Sequence, residues 1–197
     1  SDVDKVVVAV PTKLLQNQIM NQEAKALSDV FNINFHSLKG PQNYIKLDAF
    51  YQTLLRQDSN RLINRYKMQL LVWLTETETG DLDEIRQKQR YMAYFDEIKH
   101  DCKLKADSLF AEYDFWQQSY QKAQEARVVV TNHAYLLTRM EDDHDFVRGK
   151  TLVIDEGQKM VLALEQFSRH QVNLTVLLQH IHRILDSGSQ SLLQQRL

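Results

Sequence analysis

Three short apolar runs, Lys5 to Val10 (KVVVAV), Arg127 to Thr131 (RVVVT) and Thr151 to Asp155 (TLVID), constrain this chain more than any other feature of it. Each is continuous rather than alternating and mostly β-branched, the pattern of a strand covered on both faces of a parallel sheet. A helical pattern follows each one. After the first, Pro11 and Thr12 end the strand. From Lys13 onward Leu14, Leu15, Gln18, Ile19, Gln22 and Ala26 then recur at the spacing that places side chains on neighbouring turns. A helix is expected from His133 toward Met140 after the second run. After the third, helices are expected from Met160 to Phe167 and from Leu174 to Leu185, ending at Ser187-Gly188-Ser189. Asn32 to His36 alternates polar and apolar, which predicts a further, half-exposed strand before the Gly40-Pro41 turn. Strand, short turn and helix in succession are the parts of βαβ units, so the expected class is α/β.

Between the first two runs, roughly Tyr44 to Ala126, glycine and proline are nearly absent. Gln, Lys, Glu, Leu and aromatic residues dominate, a helix-favouring composition. The region reads as an inserted helical segment with pieces at Leu47 to Arg56, Asn60 to Leu74, Asp83 to Gln89 and Phe115 to Ala126, and with a loop at Thr75 to Gly80.

With 43% hydrophobic residues in 197, the chain is long and apolar enough to bury a core. Its 24 basic and 26 acidic residues leave a formal charge of -2, which excludes a global basic field; any nucleic-acid contact has to be local. A single cysteine, Cys102, excludes an internal disulfide framework and an all-cysteine zinc or iron-sulfur site. His100 beside Cys102 is too small a set for zinc, and no structural metal is expected. No run is long enough to span a membrane and the acidic, polar N-terminus is not a secretory signal, so a soluble, cytoplasmic protein without membrane association is expected. The chain opens without methionine and enters a strand almost at once, and the expectation is a piece of a longer polypeptide.

Chemistry concentrates at Leu152-Val153-Ile154-Asp155-Glu156. A hydrophobic strand that delivers two adjacent carboxylates at its C-terminal end is how open α/β sheets present metal-binding acids. Taken alone, the pair reads more readily as an anionic cap on the positive end of the following helix. Gly149-Lys150-Thr151 has the closing residues of a phosphate loop, but His144 stands where the earlier glycine is required. The triplet also runs into a strand instead of opening a helix, so Lys150 reads as a solvated residue ahead of the strand.

Four segments occur together and in order: VVVAVPTKLLQNQI (Val6 to Ile19), LKGPQNY (Leu38 to Tyr44), ARVVVTNHAYLL (Ala126 to Leu137) and LVIDEGQ (Leu152 to Gln158). In this arrangement the chain resembles the first motor domain of DinG/XPD-type superfamily 2 DNA helicases. Val130-Thr131-Asn132-His133-Ala134 just upstream of the acidic strand is the most specific part. The resemblance implies a partial RecA-like parallel sheet from residues 1–43 and 126–160, a helical insertion over 44–125 in the place of the iron-sulfur domain, and the start of a further, arch-like helical segment over 161–197.

It also implies roles. Asp155, Glu156 and Gln158 fall at the nucleotide, with Asp155 holding hydrated Mg2+ on the ATP phosphates and Glu156 polarising the attacking water. Thr12 and Lys13 fall on the single-stranded DNA backbone, where a hydroxyl and a helix N-terminus donate to phosphate oxygens. Asn132 and His133 fall in the loop network on the DNA side; for His133, packing at a helix N-terminus is an equal alternative. The chain departs from the family in two places. Gly157-Gln158 replaces the usual Ala-His, which removes a potential cation. Lys46 stands where a first cluster cysteine is common, so an iron-sulfur cluster is not expected. The insertion would then hold its shape by apolar packing, with Trp73, Tyr91, Tyr94, Phe95, Phe110, Tyr113, Phe115 and Trp116 as candidate core.

In this resemblance the phosphate loop and the second motor domain belong to other parts of the polypeptide, so the chain alone is expected to be inactive and to depend on them as partners. Some cluster-less relatives are fused to a 3'-5' exonuclease, and a nucleic-acid-binding scaffold without unwinding activity is the competing reading.

Overall fold

In the computed structural model, residues 5–56, 58–85, 91–103 and 108–168 are described. Four strands form one sheet: β1 Val6–Val10, β2 Phe35–Ser37, β3 Val128–Asn132 and β4 Thr151–Ile154, in the order β2-β3-β1-β4. Every pairing is parallel, with Val6 beside both Val128 and Thr151, and Phe35 also beside Val128. The parallel α/β class read from the apolar runs is therefore what the chain adopts, and it is consistent with part of a RecA-like fold. Parallel strands started in register end together. The segments leaving Ser37, Asn132, Val10 and Ile154 thus emerge at a single edge.

Burial differs between the strands in a way that continuous apolar sequence does not foretell. Val7, Ala9 and Val10 of β1 are fully covered, as are Val129 and Val130 of β3 to within a few percent. β4, expected to be covered on both faces, is not: Val153 and Ile154 are 45% and 41% exposed. Its position explains this, because β4 hydrogen-bonds to β1 on one side and is the outermost strand among the described residues.

The helix after β1 corrects the periodicity reading. Its segments are α1 Lys13–Ile19, a π-helical stretch Met20–Ala24, and α2 Lys25–Phe31. Leu14 is 79% exposed, while Gln16 is fully buried. The face toward the sheet carries an amide, and the wider π turn shifts the phase that a constant 3.6-residue repeat assumes. Asn32 closes α2 in the left-handed conformation (φ 51°), and β2 begins three residues later than the alternating pattern suggests.

In the insertion, α3 Leu47–Leu55, α4 Arg61–Leu74 and α6 Phe115–Glu125 fall where helix-favouring composition puts them. Asn60 and Asp114 cap the last two by accepting from Leu62 N (2.9 Å) and Gln117 N (2.8 Å). The helix expected over Asp83 to Gln89 is a single 3-10 turn at Leu82–Glu84, with residues 86–90 outside the described set. A helix that the sequence pattern missed, α5 Met92–Ile98, brings Tyr94, Phe95 and Ile98 into the core. Beyond β3 come α7 His133–Asp142 and, after β4, α8 Gly157–Ser168; the helix expected from Leu174 to Leu185 lies outside the described residues.

Two apolar clusters result. One joins Val7, Leu38, Val129, Leu136 and Phe146 around the sheet, and the other joins Ile45, Phe50, Leu70, Phe95 and Ile98 within the insertion. Trp73, Tyr91 and Phe115 pack against the second, Phe110 sits against Tyr51 and Trp116 against His100, but Tyr113 is 62% exposed and is not core.

Apolar packing alone does not hold the insertion. Lys39, 2% exposed, pairs with Asp81 and approaches Asp83 at 3.5 Å, which ties the segment after β2 to the loop before the Leu82–Glu84 turn. Lys67 pairs with Asp58 at 2.5 Å and donates to the Thr53 carbonyl. Gly80 is required where it stands: its φ is +65° and an added Cβ would lie 2.2 Å from Phe115 Cγ.

Candidate functional site at the carboxyl edge of the sheet

The edge collects Thr12, Asn132, Asp155 and Glu156 because β1, β3 and β4 stop side by side. β4 hands its acids over through a left-handed residue. Asp155 N donates to Ala9 O at 2.9 Å, as a continuing strand residue would, and Glu156 then takes φ 47°, a backbone that residues other than glycine rarely adopt. Such conformations concentrate at functional sites. The Glu156 carbonyl accepts from Lys159 N at 2.7 Å, which turns the chain into α8 from Gly157.

Asp155 is exposed and faces away from the core. Glu156 Oε2 pairs with Lys159 Nζ at 2.6 Å, one turn into α8. Gln158 is exposed beside it. The two carboxylates therefore sit just ahead of a helix N-terminus, where its dipole favours negative charge, and remain accessible from outside. The capping role and the ligand-holding role considered for this pair are compatible in this geometry.

Thr12 is the N-cap of α1; its Oγ1 accepts from Leu15 N at 3.2 Å, which leaves the hydroxyl hydrogen available for another acceptor. Lys13 is exposed but engaged, with Nζ 2.6 Å from Asn43 Oδ1 and 3.2 Å from Asp83. Asn132 caps α7 by accepting from Tyr135 N at 3.0 Å, and its Nδ2 donates to Gln16 Oε1 at 3.2 Å. His133 is 1% exposed and donates from Nε2 to the backbone carbonyl of Asp155 at 3.0 Å. The structure thus brings His133 to the acidic turn, in contact with the residue beside Glu156.

Gln16 is the site residue that sequence reasoning missed. Its Nε2 shares two hydrogens among Ser37 Oγ (3.0 Å), Leu38 O (3.1 Å) and Val130 O (2.9 Å) while its Oε1 accepts from Asn132 Nδ2 (3.2 Å). It fastens α1, the end of β2 and the end of β3 to one another directly beneath the edge. The available signal was slight: Gln16 is the first of three consecutive amides between Leu15 and Ile19, and apolar spacing does not single it out from Asn17 and Gln18.

A groove of about 680 Å³ runs from this edge toward the insertion. Pro11, Lys13 and Asn132 lie on the sheet side, with Pro41, Asn43 and Lys99 across from them. Lys46 has its ammonium 2.5 Å from Asp101, and the Asp101 carboxyl is held below its ordinary value chiefly by that hydrogen bond. His100, fully buried, meets Asp114 at 3.0 Å and accepts from Cys102 N on its other nitrogen. Among the described residues no group of three or more His, Cys, Asp or Glu is arranged to hold a metal ion. Lys150 is half-buried, contrary to its reading as a solvated residue: its ammonium donates to Phe146 O at 2.6 Å and lies 4.8 Å from the centre of the Phe146 ring, and burial lowers its pKa. No helix among the described residues is long and apolar enough to cross a membrane.

No protein-family model matches the chain. Among curated proteins it is similar to the 3'-5' exonuclease DinG of Staphylococcus saprophyticus and that of Staphylococcus aureus strain USA300, with 31% identity to each over 157 residues, or 79% of this chain. The chain spans 17% of the length of these relatives. Ordered motifs, a parallel sheet that gathers them at one edge and this similarity over most of the chain agree: the chain is DinG-like, and its similarity falls on one part of those longer relatives.

Proposed function

We propose that this chain is the acidic-motif segment of a DNA-dependent ATPase that moves along single-stranded DNA, and that Asp155 and Glu156 serve its Mg-ATP site. The observation that carries the reading is the Asp155-Glu156 turn at the carboxyl edge of a parallel sheet, with Asp155 exposed and Glu156 half-buried in a left-handed backbone. The residues fit a hydrated magnesium ion by the chemistry of their donors: an exposed carboxylate on a strand end, its backbone fixed on one side by Ala9 and on the other by His133. When bound, Mg-ATP supplies the phosphoryl group and the metal's charge. In this reading Asp155 would hold the metal, Glu156 would orient the attacking water and accept its proton, and Gln158 would take part by hydrogen bonding. Lys159 neutralises Glu156 in the absence of nucleotide.

The groove that Pro11, Lys13 and Asn132 line is read as the DNA path. Lys13 would meet phosphates there with Thr12 next to it in the chain, and Asn132 would set the loop that borders it. Lys13 is held by Asn43 and Asp83, so phosphate binding would have to displace an existing pair. No iron-sulfur cluster is invoked, since Lys46 and Asp101 occupy the position in question and one cysteine is present. The phosphate loop and the second motor domain would come from the rest of the protein, and this chain alone would turn over no ATP.

The test is ATP turnover by the full-length protein with and without single-stranded DNA. Stimulation by DNA that Glu156→Gln lowers by about 10²- to 10⁴-fold, the range for loss of a general base, is expected. The names of the curated relatives favour a second reading, a nuclease in which this region binds the nucleic acid without unwinding it. DNA binding and 3'-5' degradation without DNA-stimulated turnover would select it.

A further inference from the structure

We propose that His133 is a positioning residue whose hydrogen bond across the end of β1 fixes the backbone of Glu156 and so aims its carboxylate; this rests on the reading that Glu156 acts in nucleotide hydrolysis. His133 opens α7 at the end of β3, while Asp155 leaves β4, and β1 separates these two strands in the sheet. The imidazole therefore spans a strand to reach the Asp155 carbonyl at 3.0 Å. A carbonyl only accepts, so Nε2 carries the hydrogen.

The consequence is local. The Asp155 carbonyl and the Glu156 amide belong to a single rigid peptide plane. Holding its oxygen fixes the direction from which Glu156 begins, and Glu156 takes φ 47° at that point. For a residue with a Cβ the left-handed region is disfavoured, and it persists where the surroundings determine it. The Ala9 carbonyl holds Asp155 from its amide side and His133 from its carbonyl side, which together leave the turn one path.

The second nitrogen of the ring sharpens the case. Nδ1 is buried and has no hydrogen-bond partner among the described residues. A buried acceptor left unpaired is a cost to the fold, and a leucine of similar bulk would avoid it. Histidine at this position is therefore poorly explained by packing and well explained by the single bond it makes. Asn132, one residue earlier, already caps α7, so the helix does not need His133 for that purpose.

The experiment has two arms. In the chain itself, backbone NMR of Asp155 and Glu156 is compared among wild type, His133→Leu and His133→Gln. The left-handed signature of Glu156 is expected to be lost with leucine and kept with glutamine, whose terminal amide can donate from nearly the same point. Retention of that signature in the leucine variant, with the fold intact, overturns the proposal. In the full-length protein, His133→Leu is expected to lower kcat about tenfold at unchanged KM for ATP, with glutamine restoring it. An unchanged kcat, or an equal loss in both variants, also overturns it. A wild-type protein without ATP turnover refutes the assigned function instead, and the NMR arm still decides whether His133 sets this turn.

Discussion

Replacing Gln16 with leucine should destabilise the chain by about 3 kcal/mol, and the figure follows from which partners are left alone. Gln16 is fully buried; its two amide hydrogens are shared among three acceptors and its oxygen accepts one hydrogen bond. Two of its acceptors have other donors: Leu38 O also receives Thr131 Oγ1 at 2.9 Å, and Val130 O also receives Leu38 N at 2.9 Å. Ser37 is half-buried and can turn to solvent. Asn132 Nδ2 has no such recourse, because Asn132 is 7% exposed and its oxygen is already committed to Tyr135 N. A stranded buried donor costs about 1–3 kcal/mol and each lost neutral hydrogen bond about 1 kcal/mol net, with part of the total offset by the added apolar burial. Thermal or urea unfolding of the purified chain measures the change. For a chain of this size about 3 kcal/mol corresponds to a fall in Tm of roughly 6–12 °C. Gln16→Met removes the same groups with an unbranched side chain and should lose a similar amount. A loss below about 1 kcal/mol in both variants would refute the claim that this amide fastens the edge.

Two further outcomes follow from other buried polar groups. Lys39→Met removes the partner of Asp81 and weakens the tie between the segment after β2 and the insertion; a loss of about 3 kcal/mol is expected in the same unfolding assay, in line with breaking a buried pair from one side. Burial, and then the nearby Lys122, hold the His36 imidazole below its ordinary value against the opposing hydrogen bond with Ser119, so the unfolded chain binds the proton more readily than the folded one. Stability from this group is complete above the ordinary histidine value and declines as pH falls through it toward the folded value; His36→Gln should flatten the urea midpoint between about pH 7.5 and 5.5.

Much of the sheet was legible because buried parallel strands need continuous β-branched runs, and Val6 to Val10 and Val128 to Thr131 supply them without ambiguity. The acid pair was legible for a related reason: charged residues directly after such a run have to lie at its end. What could not be read depends on neighbours in space. Nothing in TLVI distinguishes a central strand from an outer one, so the exposure of Val153 and Ile154 became visible only with the strand order. The π turn at Met20–Ala24 shifts the phase of the helix that follows it, and long-range acceptors made Gln16 part of the core. His133 posed the same problem, since its partner lies 22 residues away across an intervening strand. The insertion's ion pairs are equally nonlocal, and composition alone suggested apolar packing.

The most direct measurement is a crystal structure of the full-length protein with magnesium and a non-hydrolysable ATP analogue. The account predicts the metal bridged through water to the Asp155 carboxylate, the Glu156 carboxylate released from Lys159 and turned toward the γ-phosphate, and the His133 bond to the Asp155 carbonyl intact. A nucleotide bound elsewhere, with Asp155 and Glu156 facing bulk solvent, would contradict it.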